Sequence, residues 1–262
     1  MRRLTGLLGA AALLAACATA PESAPSPDSN LPTSTITLTT PDGVTIHGEP
    51  FLAGLDDGQP LILLFHQGGS NGRAEYGPLT DWLNSEGYRA IAWDQRQGGS
   101  IYGGENRTVN ALPEGVAYTY CDAYPDLERA VDYALEASLA NEVIVWGSSY
   151  SAALVFQLAA KNPGKISALV SASPASGDPM KDCLAKDWLD AVTVPMFVMS
   201  PQSEMERNGT QAQAALMRDA GATYHVALKG VHGSSMLVDE RTKHDMSADR
   251  AVVMEWLKGL PD

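Results

Sequence analysis

The sequence predicts one α/β domain in which a mostly parallel, doubly wound sheet carries helices on both faces. Short apolar runs alternate with stretches of helical spacing, which is the pattern of strands joined by crossover helices. The 262 residues are 45% hydrophobic and 19% charged, which suits one large buried core and is too polar for several membrane spans. Any contact with a membrane is therefore expected at an end of the chain.

The first part of the chain has the features of an export signal over residues 1–16. Arg2 and Arg3 precede an apolar run that is too short to cross a bilayer. The run ends in Leu-Ala-Ala before Cys17, which resembles a bacterial lipobox, where the cysteine is acylated and becomes the first residue of the mature protein. The alternatives are a plain signal peptide with an incidental cysteine, or a buried apolar helix. The resemblance implies a lipid-anchored, extracytoplasmic protein of the bacterial cell envelope, and Ala18 favours the outer membrane where the cell has one.

Residues 17–33 are predicted to form a disordered tether, because Ala, Pro, Ser and acidic residues leave little to bury. The folded domain is expected to span residues 34–262. Loss of the signal, with its two arginines and no acidic residue, would change the formal charge from −13 to −15. So acidic a protein repels phosphate backbones, and nucleic acid is not an expected partner.

The domain opens with a predicted hairpin over residues 35–40 and 44–48, around the turn Pro-Asp-Gly at 41–43. The run 61–65 is wholly apolar, which favours a strand covered on both faces. The further strand candidates are 90–93, 142–146, 166–171, 194–199 and 223–228. The helix candidates are 76–85, 126–137, 152–161, 210–220 and 249–258. Sheets of this class hold their sites at the carboxyl ends of the strands.

The strongest motif is Gly147-Ser-Ser149-Tyr-Ser151, which lies between a predicted strand and a predicted helix. A hydrolase needs its nucleophile on a sharp strand-to-helix turn, because that turn exposes the hydroxyl and directs the helix N-terminus at developing charge. Such a turn requires small residues two before and two after the nucleophile, and Ser151 stands where a second glycine is usual. We therefore predict Ser149 as the nucleophile. Ser148 is the second candidate, and the alternative is that the serines only cap the helix.

A glycine-rich segment, His66-Gln67-Gly68-Gly69, follows the first buried strand. Glycine lets the backbone approach a tetrahedral intermediate closely, so that an amide hydrogen can point at its oxyanion. With this segment and the serine motif, the chain resembles the α/β-hydrolase family. The resemblance implies that the main-chain amides of Gly68 and Tyr150 form the oxyanion hole, with Gln67 possible in place of Gly68, and that His66 is structural.

The general base is expected late in the chain, after the last strand. Gly230-Val-His232-Gly resembles the catalytic-histidine loop of the family, and a loop suits a histidine that must reach both the nucleophile and an acid. We therefore predict His232 as the base. His47 lies too early in the chain, His225 lies within a predicted strand, and His244 lies near the last helix. All three are expected to be structural.

The acid is expected after the strand that begins near residue 194. Glu204 stands where the family carries its Asp or Glu, and an ionised carboxylate there would hold the imidazole in the correct tautomer. Glu206 is the alternative, while Asp178 and Asp187 are weaker candidates. The order Ser149, Glu204, His232 matches the nucleophile-acid-base order of the fold.

Two further segments could shape the pocket. The segment 94–124 holds Tyr102, Tyr118 and Tyr120, which either line the site or pack on the surface. The segment 173–192, where many relatives insert a lid, is short, so a small or absent lid is expected.

Two cysteines remain once Cys17 is assigned to the lipid. Export to an oxidising compartment leaves Cys121 and Cys183 as the one possible pair, and a disulfide is predicted, with two unpaired thiols as the alternative. The bridge would close a loop that contains the nucleophile and contribute about 3–4 kcal/mol in the chain-entropy description.

These residues together predict a serine hydrolase that cleaves an ester or related acyl bond of a small-molecule substrate through an acyl-enzyme. No metal or organic cofactor is expected, since the sequence has no zinc-type spacing and no phosphate-binding loop. The family also includes thioesterases, peptidases and dienelactone hydrolases, although typical dienelactone hydrolases use a cysteine nucleophile. A peptidase or thioesterase on the same fold, and an envelope lipoprotein that has lost activity, are the alternative functions. Oligomeric state is left open.

Overall fold

An eight-stranded sheet organises the computed structural model, which describes residues 34–52 and 54–261. The predicted signal, Cys17 and the whole predicted tether lie outside the described residues. The strands are β1 Ile36–Thr39, β2 Thr45–Phe51, β3 Leu61–Phe65, β4 Arg89–Asp94, β5 Val143–Ser148, β6 Ile166–Ala172, β7 Met196–Pro201 and β8 Thr223–Ala227. The helices are α1 Gly72–Ser85, α2 Arg107–Asn110, α3 Tyr124–Glu136, α4 Tyr150–Lys161, α5 Asn208–Asp219, α6 Asp239–Thr242 and α7 Ser247–Lys258.

The order of the strands confirms the predicted fold class. Across the sheet it is β1-β2-β4-β3-β5-β6-β7-β8, with antiparallel pairs at β1–β2 and β2–β4 and parallel pairs from β4 onward. The chain reverses its direction of winding at the adjacent strands β3 and β5. The loops that follow these two strands therefore meet at one edge of the sheet, where doubly wound folds place their sites.

Both faces of the central strands are buried, as the wholly apolar run at residues 61–65 predicts. Leu63 and Phe65 pack into one core layer, with helices α3 and α4, while Ile62 and Leu64 pack into the opposite layer, with α1 and α7. Alternation of side chains along each strand divides these residues between the two layers. The central strands are thus held rigidly, and so are the loops that leave them.

Several element boundaries differ from the prediction. Helix α1 begins at Gly72, four residues earlier than predicted, because the Asn71 side chain accepts a hydrogen bond from Ala74 N and caps it. Strand β5 continues to Ser148, so the nucleophile candidate follows the strand directly. Strand β2 extends to Phe51 and pairs with β4 as well as β1, a long-range pairing that local pattern does not reveal.

The segment after β6 contains only short 3-10 turns between residues 178 and 191, which agrees with the expected small lid. A disulfide joins Cys183 in this segment to Cys121, which precedes α3, and the predicted pairing is present in the structure. Its two ends are 62 residues apart in sequence, and β5, α4 and β6 lie between them.

Removal of this disulfide is expected to lower the free energy of unfolding by about 3–4 kcal/mol, because the unfolded chain regains the conformations that the closed loop excludes. The measurement is urea unfolding of the double variant Cys121→Ala/Cys183→Ala beside the oxidised wild type. Wild type treated with a reductant serves as the control and should lose a similar amount. Equal stability of the oxidised wild type and the double variant would contradict the prediction.

No helix in residues 34–52 and 54–261 is both long and apolar enough to cross a membrane. The same residues contain no cluster of three or more His, Cys, Asp or Glu side chains with the geometry of a metal site.

Candidate active site

Ser149 occupies a strained turn between β5 and α4. Its backbone has φ 59° and ψ −114°, in a region that residues with a side chain adopt at a cost of about 1–3 kcal/mol. The side chain is partly exposed, while Ser148 and Tyr150 on either side are buried. The turn also needs Gly147, since a Cβ there would lie 2.3 Å from the Ser151 carbonyl oxygen. The predicted sharp turn is thus present, and Ser149 is partly exposed between two buried neighbours.

Ser151 has a hydrogen-bonding role that a glycine could not supply. Its Oγ donates to the carbonyl oxygen of His66 at 2.7 Å and accepts from Gln95 Nε2 at 2.6 Å. The Gln95 side chain in turn accepts from the His66 main-chain amide at 2.9 Å. Ser151, which stands where a second glycine is usual, therefore links the first turn of α4 to the glycine-rich segment and to the end of β4.

The amides of the glycine-rich segment are not equivalent. Gln67 N donates to Glu75 Oε2 at 2.8 Å, so that amide is already engaged. The amides of Gly68 and Tyr150 donate to no acceptor among the described residues. Between Gln67 and Gly68, only Gly68 has an amide free to bind an oxyanion.

His66 is held with both ring nitrogens in contact with the protein. Nδ1 lies 2.8 Å from the carbonyl oxygen of Gln67, and Nε2 lies 3.1 Å from the main-chain nitrogen of Gln95. The carbonyl can only accept and the amide can only donate, which places the ring proton on Nδ1. Burial lowers the pKa of His66, which favours the neutral ring. No nitrogen remains to take a proton from a nucleophile.

Glu204 and His232 are paired at the carboxyl ends of β7 and β8. Glu204 Oε1 lies 2.5 Å from His232 Nδ1. The Glu204 side chain is 13% exposed and that of His232 is 50% exposed, so the carboxylate is inside and the ring reaches the surface. Glu206 is exposed and forms no hydrogen bond to His232 within the described ranges. This orientation leaves Nε2 of His232 as the free nitrogen.

The histidine loop lies against the serine turn. Gly233 N donates to Ser173 Oγ at 3.0 Å, and Ser234 N donates to Ser148 Oγ at 2.9 Å. No hydrogen bond connects Ser149 to His232 in the part of the chain that the structure describes. Catalytic hydrogen bonds are often long in a protein without substrate and shorten only when the substrate binds.

A buried carboxylate that the sequence patterns do not single out supports the site. Glu75, on the first turn of α1, is fully buried and accepts the Gln67 amide. Burial raises the pKa of Glu75, and the nearby hydroxyl of Ser148 offsets part of the rise. Glu75 Oε1 has no hydrogen-bond partner among the described residues. A sequence signal does exist, since Glu75 adjoins the apolar face formed by Tyr76, Leu79 and Leu83. An acidic residue beside such a face needs a partner, and here that partner is the glycine-rich segment.

Two of the three tyrosines considered for the pocket, Tyr102 and Tyr120, contact the glycine-rich segment or the residue after Ser149. Tyr102 accepts from Gln67 Nε2 at 2.8 Å and has Arg241 stacked 3.8 Å from its ring centroid. The ring of Tyr118 lies 4.9 Å from the guanidinium of Arg96. The ring of Tyr120 stacks on Tyr150 with centroids 4.7 Å apart. Tyr102 and Tyr120 therefore pack against the glycine-rich segment and Tyr150, whereas Tyr118 packs on Arg96.

The three other histidines and the weaker acids lie in different settings. His225 Nε2 pairs with Asp249 at 2.7 Å, and His47 Nδ1 contacts Thr37 Oγ1 at 3.3 Å. His244 N donates to Thr242 in the loop before α7. Asp178 and Asp187 lie in 3-10 turns and neither bonds to His232 within residues 54–261.

Comparisons with known proteins agree with this architecture. The profile of the alpha/beta hydrolase fold family matches residues 60–207. An esterase from Pyrococcus furiosus is similar over 86% of this chain and 89% of its own, with 17% identity and a TM-score of 0.62. Est1E from Butyrivibrio proteoclasticus, bound to ferulic acid, is similar over 86% of this chain and 98% of its own, with 14% identity and a TM-score of 0.64.

A thioesterase domain from the curacin biosynthetic pathway is similar over 85% of this chain and 98% of its own, with 14% identity and a TM-score of 0.58. Likeness at these identities shows the fold alone. A search of curated protein sequences finds no match. The family profile covers more than half of the chain, and the chain therefore belongs to the alpha/beta hydrolase fold family.

Proposed function

We propose that this protein is a serine hydrolase that cleaves an ester or thioester by a two-step acyl transfer. Nε2 of His232 takes the proton of Ser149 as Oγ forms a bond to the acyl carbon. The amides of Gly68 and Tyr150 bind the oxyanion, and the leaving group departs with the proton from His232. Water, activated by the same imidazole, then breaks the acyl–Oγ bond and releases the acid.

One observation carries the proposal: the backbone of Ser149 is strained, and the main-chain amides of Gly68 and Tyr150 have no acceptor among the described residues. Strain of this size persists only where the surrounding structure imposes it, and it is concentrated at functional sites. A serine that only capped α4 would not need a positive φ, and its side chain accepts no cap hydrogen bond here. The Glu204–His232 pair in the adjoining loops adds the base and the group that orients it.

The substrate class follows from the chemistry of the site and from its access. Ser149 is partly exposed, and the segment after β6 holds no helix longer than a 3-10 turn to cover it. The similar structures include two esterases and a thioesterase domain. Together these features favour small acyl substrates that enter from solvent, with short-chain p-nitrophenyl esters as the first probe.

The direct test is covalent labelling with a fluorophosphonate, followed by mass mapping of the labelled peptide. The label is expected on Ser149, and the same protein is expected to turn over p-nitrophenyl acetate or butyrate. Labelling of Ser148, or no labelling together with no turnover, would refute the proposal.

We further propose that Cys17 carries a lipid and anchors the domain in the bacterial cell envelope. The support is the Leu-Ala-Ala-Cys sequence after a basic and apolar start. We expect wild type to incorporate a radiolabelled fatty acid and to sediment with membranes, whereas Cys17→Ser should do neither. Incorporation of label into Cys17→Ser would rule out lipidation at this residue.

A further inference from the structure

Tyr120 contacts both residues whose main-chain amides have no acceptor among the described residues, Gly68 and Tyr150. Its ring stacks on Tyr150, with centroids 4.7 Å apart and an angle of 16° between the ring planes. Its hydroxyl lies against Gly68, where a Cβ would come within 2.6 Å of the phenol oxygen. A glycine at position 68 therefore leaves room for this hydroxyl as well as for a substrate.

The hydroxyl of Tyr120 has no hydrogen-bond partner among the described residues. The hydroxyls of the neighbouring tyrosines are engaged: Tyr150 donates to Gln97 O at 2.8 Å, Tyr76 donates to Phe65 O at 2.9 Å and Tyr102 accepts from Gln67 Nε2 at 2.8 Å. Tyr120 is partly exposed, so a bound substrate can reach it. An unengaged donor beside two unengaged amides points to an acceptor that arrives with the substrate.

The position of Tyr120 is fixed from two sides. The next residue, Cys121, is covalently bound to Cys183, and Ala123 N donates to the Tyr120 carbonyl oxygen at 3.3 Å. The stacked ring of Tyr150, which is fully buried, supports the aromatic face. Donors that are held in place before the reaction stabilise developing charge without reorganisation.

We propose that Tyr120 is a further catalytic residue, whose phenol donates a third hydrogen bond to the oxyanion beside the amides of Gly68 and Tyr150. This inference rests on the proposed function. The phenol keeps its proton throughout, and no bond of the tyrosine breaks. The hydrogen bond strengthens as the carbonyl oxygen of the substrate gains negative charge, so it acts on kcat rather than on substrate affinity.

The test is Tyr120→Phe, which keeps the stacked ring and removes only the hydroxyl. We expect kcat/KM for p-nitrophenyl butyrate to fall about 10- to 100-fold, mostly through kcat. A trifluoromethyl ketone, which forms a tetrahedral adduct with the serine, should bind more weakly by a similar factor. The control is Tyr118→Phe in the same segment, whose ring packs on Arg96 and which should stay within about twofold of wild type.

Three results would overturn the proposal: kcat/KM of Tyr120→Phe within about twofold of wild type, a loss confined to KM, or an unchanged affinity for the ketone. Thermal unfolding of both variants separates loss of the donor from loss of the fold. If wild type is labelled at Ser149 and Tyr120→Phe is fully active, the proposed function stands and this inference fails. If wild type neither labels nor turns over, both fail.

Discussion

Replacement of Ser149 by alanine is expected to lower kcat for p-nitrophenyl esters by about 10⁴- to 10⁶-fold and to abolish fluorophosphonate labelling. The reason is that no acyl-enzyme can form without Oγ. The remaining rate comes only from substrate binding and from the donors to the oxyanion. Stability should not fall, because alanine keeps the Cβ of the strained turn and Ser149 makes no side-chain cap hydrogen bond.

Ser148→Ala is the matched control for this variant. Ser148 is buried, and its Oγ accepts from Ser234 N at 2.9 Å, so it holds the histidine loop and does not face solvent. We expect Ser148→Ala to keep its labelling and most of its turnover. A labelled and active Ser149→Ala protein, together with a folded but unlabelled Ser148→Ala protein, would assign the nucleophile to Ser148.

Glu204→Gln is expected to lower kcat by about 10³- to 10⁴-fold. A glutamine carries no charge to stabilise the imidazolium, and its amide NH₂ can donate to Nδ1 and fix the wrong tautomer. Both effects are expected at this position, because Glu204 Oε1 lies 2.5 Å from His232 Nδ1 and the Glu204 side chain is only 13% exposed. Steady-state kinetics on short-chain esters measure the loss.

The two acidic candidates of this loop provide the comparison. Glu206 is exposed and has no hydrogen bond to His232 in the described part of the chain, so Glu206→Gln should stay within about twofold of wild type. The reverse order of effects would assign the acid to Glu206. Similar small losses in both variants would mean that the histidine works without a carboxylate partner.

Local pattern predicted the features that depend on residues close together in the sequence. The apolar run at 61–65, the helix after Ser149 and the small residue at position 147 each report their own immediate surroundings. The fold class follows from the alternation of such segments, and the structure confirms it. The Cys121–Cys183 pair could also be predicted from the sequence, because only two cysteines remain once Cys17 is assigned to the lipid.

Features that depend on contacts between distant segments could not be predicted from local sequence patterns. In the sequence, Ser151 only departs from the usual glycine of the motif. The structure shows that its hydroxyl bonds to the His66 carbonyl and the Gln95 side chain. The engagement of the Gln67 amide by Glu75 decides between two candidate donors, and it depends on how α1 packs beneath the glycine-rich segment. Pairing of β2 with β4 is likewise a contact across about 40 residues, which no local propensity encodes.

The covalent link between residues 121 and 183 divides the candidate site into two parts of different origin. Sheet pairing and the histidine–carboxylate contact position the turn at Ser149 and the Glu204–His232 pair. The aromatic wall at Tyr120 is fastened in addition by a bond that only an oxidising environment maintains. A reduced chain would therefore keep the sheet that carries Ser149, Glu204 and His232, and oxidation would add the restraint next to Tyr120.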